Sequence, residues 1–289
     1  MKGLILAGGT GSRLSPATSA VSKQLIPVFD KPMIYYPLVS LMHAGVRDIC
    51  LITTPKDLHA FQNLLSNGAQ FGVKISYRVQ ESPRGIADAY LVAEDFVEGE
   101  PSALILGDNL FHGLKLEATL EGKCTGGNRI FGHSVSNPSD YGVVDLDPTT
   151  SSIISIQEKP SDPSSNVAVT GLYFFDGTAS ARAKTIAPSD RGELEIVDII
   201  NSYVAEGSMS LTLLPEGALW FDTGTPESML EAASHIRLLQ SRYGTLVGSP
   251  EKTAFELGLI TSGQLESAAA AHSKSSYGKG LLSILESKA

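Results

Sequence analysis

Four short runs of β-branched or leucine-rich residues, Gly3 to Ala7, Val46 to Thr53, Val73 to Gln80 and Ser102 to Leu106, are spaced by segments of helical periodicity. That alternation predicts βα units around a mostly parallel sheet, so the chain reads as an α/β protein. The first intervening helix is expected over Lys31 to Ala44, where Met33, Ile34, Tyr36, Leu38, Leu41 and Met42 mark an apolar face and Pro37 sits near the start. Lys56 to Leu65 and Ile86 to Glu94 read as the next two. After Asp108 the rhythm changes. Gly142 to Leu146, Ile153 to Gln157, Ala168 to Phe175 and Ser210 to Pro215 read as strands between Gly-, Pro- and Ser-rich turns, a sheet extension that covers a second ligand. Helices follow at Glu193 to Val204 and Pro226 to Tyr243, the second with Met229, Leu230, Ala233, Ile236 and Leu239 on one stripe. The tail from Pro250 to Ala289 carries short helical patterns suited to a small cap or a subunit interface. With no repeat and no linker, we expect one α/β domain over 1–225, divided into a core (about 1–110) and a second-ligand part (about 111–225). A C-terminal helical layer over 226–289 completes the chain.

A chain of 289 residues, 42% of them hydrophobic, is long enough to bury a sizeable core. The formal charge of −9 argues against holding nucleic acid by bulk electrostatics, because Lys and Arg would have to neutralise many phosphates. Any phosphate binding must then be local. Cys50 and Cys124 form neither a metal-ligand spacing nor a disulfide framework, which fits a reducing cytoplasm. The apolar run after Lys2 is too short for an export signal, and none approaches the length of a membrane span. The six histidines, at 43, 59, 112, 133, 235 and 272, show no metal spacing and read as core or surface residues.

The first strand ends in Leu6-Ala7-Gly8-Gly9-Thr10-Gly11-Ser12-Arg13. Glycines directly after a buried strand let the backbone approach a ligand closely and aim successive N–H groups at one oxygen-rich group, as a phosphate cradle does. No Gly-Lys-Ser/Thr follows, so this is not a Walker A loop, and Leu14 stands where the dinucleotide fingerprint needs glycine. At the loop's end the planar fork of Arg13 could brace the β and γ phosphates. Taken alone, the loop reads first as a tight strand-to-helix turn with a surface arginine. The continuation, Ser22-Lys23-Gln24-Leu25-Ile26-Pro27-Val28-Phe29-Asp30-Lys31-Pro32-Met33, supplies support for the cradle. Two prolines restrict the backbone around Lys23, so the lysine is placed.

Gly8 to Arg13 followed by Ser22 to Leu38 resembles the signature of glucose-1-phosphate thymidylyltransferases. The similarity continues, in the family's order, through Leu106-Gly107-Asp108-Asn109, Tyr141-Gly142-Val143-Val144, Glu158-Lys159-Pro160, Val169-Thr170-Gly171-Leu172-Tyr173, Arg191-Gly192-Glu193-Leu194-Glu195-Ile196 and Trp220-Phe221-Asp222-Thr223-Gly224-Thr225. It implies a Rossmann-like, mostly parallel mixed sheet flanked by helices, with dTTP and glucose 1-phosphate as substrates and a homotetramer as the assembly. Read physically, Asp108 and Asp222 each follow an apolar run and emerge at a strand end, where ligands gather in open α/β sheets. Each alone could be a turn or cap residue. Together they can share one Mg²⁺ with phosphate oxygens, because Mg²⁺ takes few carboxylates and keeps phosphates and waters.

The reaction so implied brings two anions together, so it needs positive charge more than it needs a base. Arg13 and Lys23 are expected on the triphosphate, and the resemblance puts Lys159 on the sugar phosphate. It also places Leu6, Gly8, Gly9, Thr10, Gly11, Gln24, Gln80, Pro83, Gly85 and Asp108 around the nucleotide, with the Gln80 amide reading the base. Asn109, Tyr141, Gly142, Glu158, Val169, Tyr173 and Trp220 would line the sugar side. The chain departs from the family twice. The run after the glutamine, close to Q-P-S-P-D-G-L-A-Q-A-F in the family, here carries Arg84 for the aspartate and Asp88 for the second glutamine. Leu114-Lys115-Leu116-Glu117 lacks the histidine often found in the family's effector site, and Glu256 stands at its arginine position, which predicts weakened feedback by a dTDP-sugar. Uridylyl or cytidylyl transfer, another hexose 1-phosphate, and a non-catalytic nucleotide-sugar-binding regulator are the competing readings.

Overall fold

The computed structural model describes residues 1–9, 11–114, 116 and 127–286. Thr10, Lys115, Glu117 and Cys124 lie outside the described residues. Strand β1 (Lys2–Ala7) enters the sheet at once, followed by the small hairpin of β2 (Pro27–Val28) and β3 (Lys31–Pro32). β4 (Asp48–Thr53), β5 (Lys74–Val79) and β6 (Ser102–Leu106) complete a parallel unit ordered β6-β1-β4-β5. Helix Tyr35–His43 and helix Leu58–Leu65 supply two of the crossovers, and Pro37 sits in the first turn of its helix, where its missing N–H costs nothing.

Downstream come β7 (Asn109–His112), β8 (Asn128–Ser134), β9 (Gly142–Leu146), β10 (Ile153–Glu158), β11 (Val167–Phe175), β12 (Met209–Leu213) and β13 (Leu219–Asp222). The nine-residue β11, buried throughout, runs antiparallel to β6 and carries β9, β10 and β8 beyond it, so the sheet has nine strands and is mixed. β13 pairs antiparallel with β7 as a separate ribbon.

The central strands read as near-continuous apolar runs because they are covered on both faces, and the two-residue period sorts their side chains. Ile5, Ile49, Leu51 and Ile105 face helix Tyr35–His43 together with Phe61, Leu65 and Phe71, whereas Leu4, Cys50, Ile52 and Leu104 face Tyr90, Phe96, Ile199 and Tyr203. The C-terminal helices Pro250–Glu256, Ser262–Ala271 and Ser276–Glu286 insert Ala254, Leu265, Ala269 and Leu281 into the first of these clusters. Polar ties hold them there: the Ser249 and Tyr277 hydroxyls lie 2.7 Å apart, and Lys31, only 3% exposed, pairs with Asp30, donates to Gln240 Oε1 at 3.0 Å and lies over the Tyr36 and Tyr277 rings. Burial pushes the Lys31 ammonium below its ordinary pKa although Asp30 opposes that shift.

The expected strands appear with small boundary shifts and helix Pro226–Tyr243 has the expected bounds, but the helix expected over Lys31 to Ala44 starts only at Tyr35 and the one expected over Ile86 to Glu94 is broken at Ala93 into Asp88–Val92 and Glu94–Val97. Five strands, β2, β3, β7, β8 and β13, were not legible. β2 and β3 have two residues each and β7 and β13 four, too few to show a period, and β8 carries Arg129, Gly132 and His133; all five are fixed by their partners, and β3 takes Lys31 and Pro32, expected at the start of the first helix. The stripe expected on helix Pro226–Tyr243 is corrected as well: Leu230 is 69% exposed, and the buried residues are Ala232 and Ile236.

Candidate active site

In-register parallel pairing brings the carboxyl ends of the core strands to one edge. Ala7 pairs with Thr53 and Thr53 with Val79, while Gly107 N–H donates to the Leu6 carbonyl at 2.9 Å and Gln80 N–H to the Thr53 carbonyl at 2.9 Å. The glycine loop, Gln80 and Asp108 therefore leave the sheet side by side, at the edge where α/β sheets bind ligands. Gly11, with φ 62°, turns the chain into the single 3-10 turn Ser12–Leu14, so no long helix lies behind the loop. A β-carbon on Gly8 would lie 2.6 Å from Gln80 Oε1, which shows how closely the glutamine amide covers the loop. A β-carbon on Gly85 would meet the Leu194 backbone at 2.3 Å; the loop is zipped there by Leu194 N–H to the Arg84 carbonyl at 2.7 Å, so this glycine serves a backbone approach.

Asp108 and Asp222 converge although they lie far apart in the chain. Asp222 pairs with Asn109 across the β7–β13 ribbon, and Thr223 closes the end with its hydroxyl donating to the Asp108 carbonyl at 2.7 Å. Asn109, 2% exposed, holds this corner: its Nδ2 donates to Asp108 Oδ1 at 3.0 Å, and its Oδ1 accepts from Gly171 N–H at 3.1 Å and from the Trp220 indole. Its amide is thus committed to holding Asp108 and Trp220. Lys23, itself buried, pairs with Asp108.

Both acids open into one cleft, lined also by Arg13, Tyr141, Gly142, Glu158, Lys159, Val169, Tyr173 and Trp220. This cleft thus unites all the residues expected on the sugar and metal side. Leu6, Gly8, Gly9, Gln24, Gln80, Pro83 and Gly85 lie outside it. Of these, Gly8 and Gln80 meet at the neighbouring strand ends, and a β-carbon on Gly107 would lie 3.0 Å from the buried Gln24 side chain. Lys159 has φ 45°, left-handed backbone that a lysine adopts only under constraint, and its N–H donates to the Tyr141 carbonyl at 2.9 Å. Trp220 packs edge-on to Tyr141, 5.2 Å between ring centres, and forms a wall of the cleft.

The electrostatics report the same convergence. Burial, and then the charge of Asp108, lift the Asp222 carboxyl to about 6, while Lys23, Arg13 and Lys159 oppose that rise. Burial pushes Asp108 upward too, but the Lys23 charge and hydrogen bond, with Asn109, outweigh it and hold the carboxyl below its ordinary value. Two carboxylates therefore share one site, and burial together with their mutual repulsion outweighs the nearby cations at Asp222. Among the described residues no three His, Cys, Asp or Glu side chains gather as a metal cage. The donor set is two acids facing open space, which suits a hard divalent ion that completes its shell with phosphate and water.

Arg191 received no role from the sequence. Its guanidinium reaches Glu158 at 3.1 Å and Glu195 at 2.8 Å, which fixes Glu158 beside Lys159, 3.5 Å away. The recurring run Arg191 to Ile196 was the available signal, but only the fold shows which acid the arginine meets.

The fold and this site define a class of enzyme. The chain belongs to the nucleotidyl transferase family, whose sequence profile matches residues 2–238. The glucose-1-phosphate thymidylyltransferase of Xanthomonas campestris pv. campestris (strain B100) is 52% identical to it over 98% of this chain and 96% of its own length. That of Neisseria gonorrhoeae is 47% identical over 99% of each chain. A crystal structure of a Bacillus anthracis chain assigned as a glucose-1-phosphate thymidylyltransferase, in complex with sucrose, superposes with TM-score 0.75 at 39% identity, covering 82% of this chain and 95% of that one. No helix among the described residues is long and apolar enough to cross a membrane.

Proposed function

We propose that the chain transfers a thymidylyl group from dTTP to α-D-glucose 1-phosphate, giving dTDP-glucose and pyrophosphate. The observation that carries this reading is the single cleft in which Asp108 and Asp222 face Arg13 and Lys159, with Lys23 on Asp108. A phosphate oxygen of the sugar phosphate attacks the α phosphorus of the triphosphate, a new P–O bond forms, and the bond to the β-phosphate oxygen breaks as pyrophosphate leaves. Two unit charges ~4 Å apart at an effective dielectric near 20 interact by about 4 kcal/mol, so a few placed cations offset much of the repulsion between the substrates. Arg13 and Lys23 hold the triphosphate and Lys159 holds the sugar phosphate in line; no general base is required. Asp108 and Asp222 would hold a divalent cation, Mg²⁺ in our reading, whose contribution is to neutralise charge on the phosphates. Gln80 reads the base above Gly8, and Tyr141, Gly142, Glu158, Val169, Tyr173 and Trp220 form the sugar pocket.

Pyrophosphate release tests the reading across dTTP, UTP and dCTP with glucose 1-phosphate and other hexose 1-phosphates. Turnover highest with dTTP and glucose 1-phosphate is expected. Binding of a dTDP-sugar with no pyrophosphate from any triphosphate would make the chain a regulator instead. Because Asn109 orients Asp108, Asn109→Ala is expected to weaken Mg²⁺ activation about 10- to 100-fold, read as a shift in the half-saturating Mg²⁺ concentration. An unshifted titration would remove Asn109 from that role.

We also place residues 1–225 in the catalytic α/β unit and 226–289 in the C-terminal layer, and read the assembly as a homotetramer in the cytoplasm. The exposed Leu230 beside Met229 and Ala233 suits a subunit contact, and light scattering in solution tests it. At the position expected to weaken feedback, Glu256 accepts from Lys252 at 2.8 Å, so the lysine's charge is already engaged.

A further inference from the structure

Arg84 and Asp88, two of the departures from the family run, meet each other, and Asp88 also meets Gln80. Asp88 is fully buried; its Oδ1 accepts from Arg84 at 2.6 Å and its Oδ2 accepts from Gln80 Nε2 at 2.8 Å. Arg84 is 59% exposed, so it brings a countercharge from solvent to a carboxylate that otherwise has none at hand. An ionised carboxylate can only accept hydrogen bonds. The Gln80 carboxamide must therefore present its nitrogen to Asp88, and its oxygen turns onto Gly8.

We propose that Asp88, held by Arg84, is the positioning residue that fixes the orientation of the Gln80 carboxamide and so makes the site select a base carrying a ring N–H. This rests on the reading of Gln80 as the base reader. With one Nε2 hydrogen donated to Asp88, the edge left for the ligand is an acceptor oxygen beside a donor N–H. Thymine and uracil present a ring N–H next to a carbonyl, which matches that edge. Cytosine presents an acceptor ring nitrogen next to an amino group, which matches only the flipped carboxamide. Flipping would set Oε1 against the Asp88 carboxylate, acceptor against acceptor in a buried site, and the fold forbids it. A glutamine at position 88, as in the family run, could donate or accept and would permit both orientations. Guanine shares the ring N–H pattern, so this device sorts pyrimidines and leaves exclusion of purines to the size of the pocket.

The test is kcat/KM for dTTP and for dCTP, with glucose 1-phosphate, in the full-length wild type and in Asp88→Asn and Asp88→Ser, both smaller than or equal in size to the original and able to donate as well as accept. Wild type is expected to prefer dTTP over dCTP by at least about 100-fold. In both variants the preference is expected to fall about 10- to 100-fold, the range for one bidentate base contact, chiefly through a gain with dCTP. The preference for dTTP over dUTP, which reads the methyl group, is expected to hold; a change that lowered every triphosphate alike would mark Asp88 as merely structural. A folded variant with the wild-type dTTP to dCTP ratio overturns the proposal, as does a wild type that uses dCTP as readily as dTTP. Gln80→Ala separates the underlying reading: if it leaves the ratio unchanged, Gln80 is not the base reader, whereas a loss in Gln80→Ala without one in the Asp88 variants defeats the positioning role alone.

Discussion

Asp222→Asn is expected to lower Mg²⁺-dependent turnover by about 10³-fold while the fold survives. The amide is nearly isosteric with the carboxylate but a poor Mg²⁺ ligand, and loss of one placed electrostatic partner in a water-poor site costs about 2.7–4 kcal/mol. Retained turnover near wild type, measured by pyrophosphate release at saturating Mg²⁺, would refute the assignment. The same substitution carries a prediction about stability. Asp222 ionises near 6 in the folded chain, above the usual aspartate value near 4, because burial and Asp108 disfavour its charge. Ionised Asp222 therefore destabilises the metal-free protein: the cost is absent below about pH 4, grows as pH rises toward 6 and is complete above it. Metal-free Asp222→Asn should melt above wild type at pH 7.5, and the gap should close near pH 4. Added Mg²⁺ should raise the wild-type midpoint and leave the variant unmoved, since a ligand stabilises only a state that binds it. A variant less stable than wild type at pH 7.5 without metal would show that the two acids do not strain the site.

Lys159→Ala is expected to cut kcat/KM for glucose 1-phosphate by about 10²- to 10³-fold, the cost of one lost preorganised donor, with KM for the sugar phosphate raised as well as kcat lowered. The KM for the triphosphate is expected to stay close to wild type, because the proposed site assigns Arg13, Lys23 and the glycine loop to that substrate. An effect confined to the triphosphate would move Lys159 to the other side of the cleft. Lys159→Arg is expected to recover only part of the loss: the charge returns, but on a planar fork longer than the ammonium that the strained backbone at 159 aims.

Part of the proposed active site could be read along the chain because chemistry imposes local patterns. A phosphate cradle needs glycines directly after a strand, a placed lysine needs a stiff backbone around it, and acids at the ends of apolar runs stand out. Gly8 to Arg13, Lys23, Asp108 and Asp222 were proposed in this way, and the resemblance added Lys159, Gln80 and the sugar-side residues. The parallel core was legible for the same reason, since β1, β4, β5 and β6 are apolar runs at regular spacing.

Pairing across long distances was not legible. Four residues at β7 and four at β13 carry too little period to be called strands, yet their ribbon sets Asp222 beside Asn109 and so brings the two acids together. The partners of Arg191 and the turn of the Gln80 amide depend on which carboxylate folds against them, and no sequence pattern states that. Sequence alone determined that this chain would build an α/β sheet with a glycine-rich loop after its first strand, because hydrophobic period and glycine placement are local. Only the tertiary structure decided that Arg84 and Asp88 lock Gln80, and that two acids 114 positions apart share one cleft with Arg13 and Lys159, because contact energies act in space and the chain's order does not encode them directly.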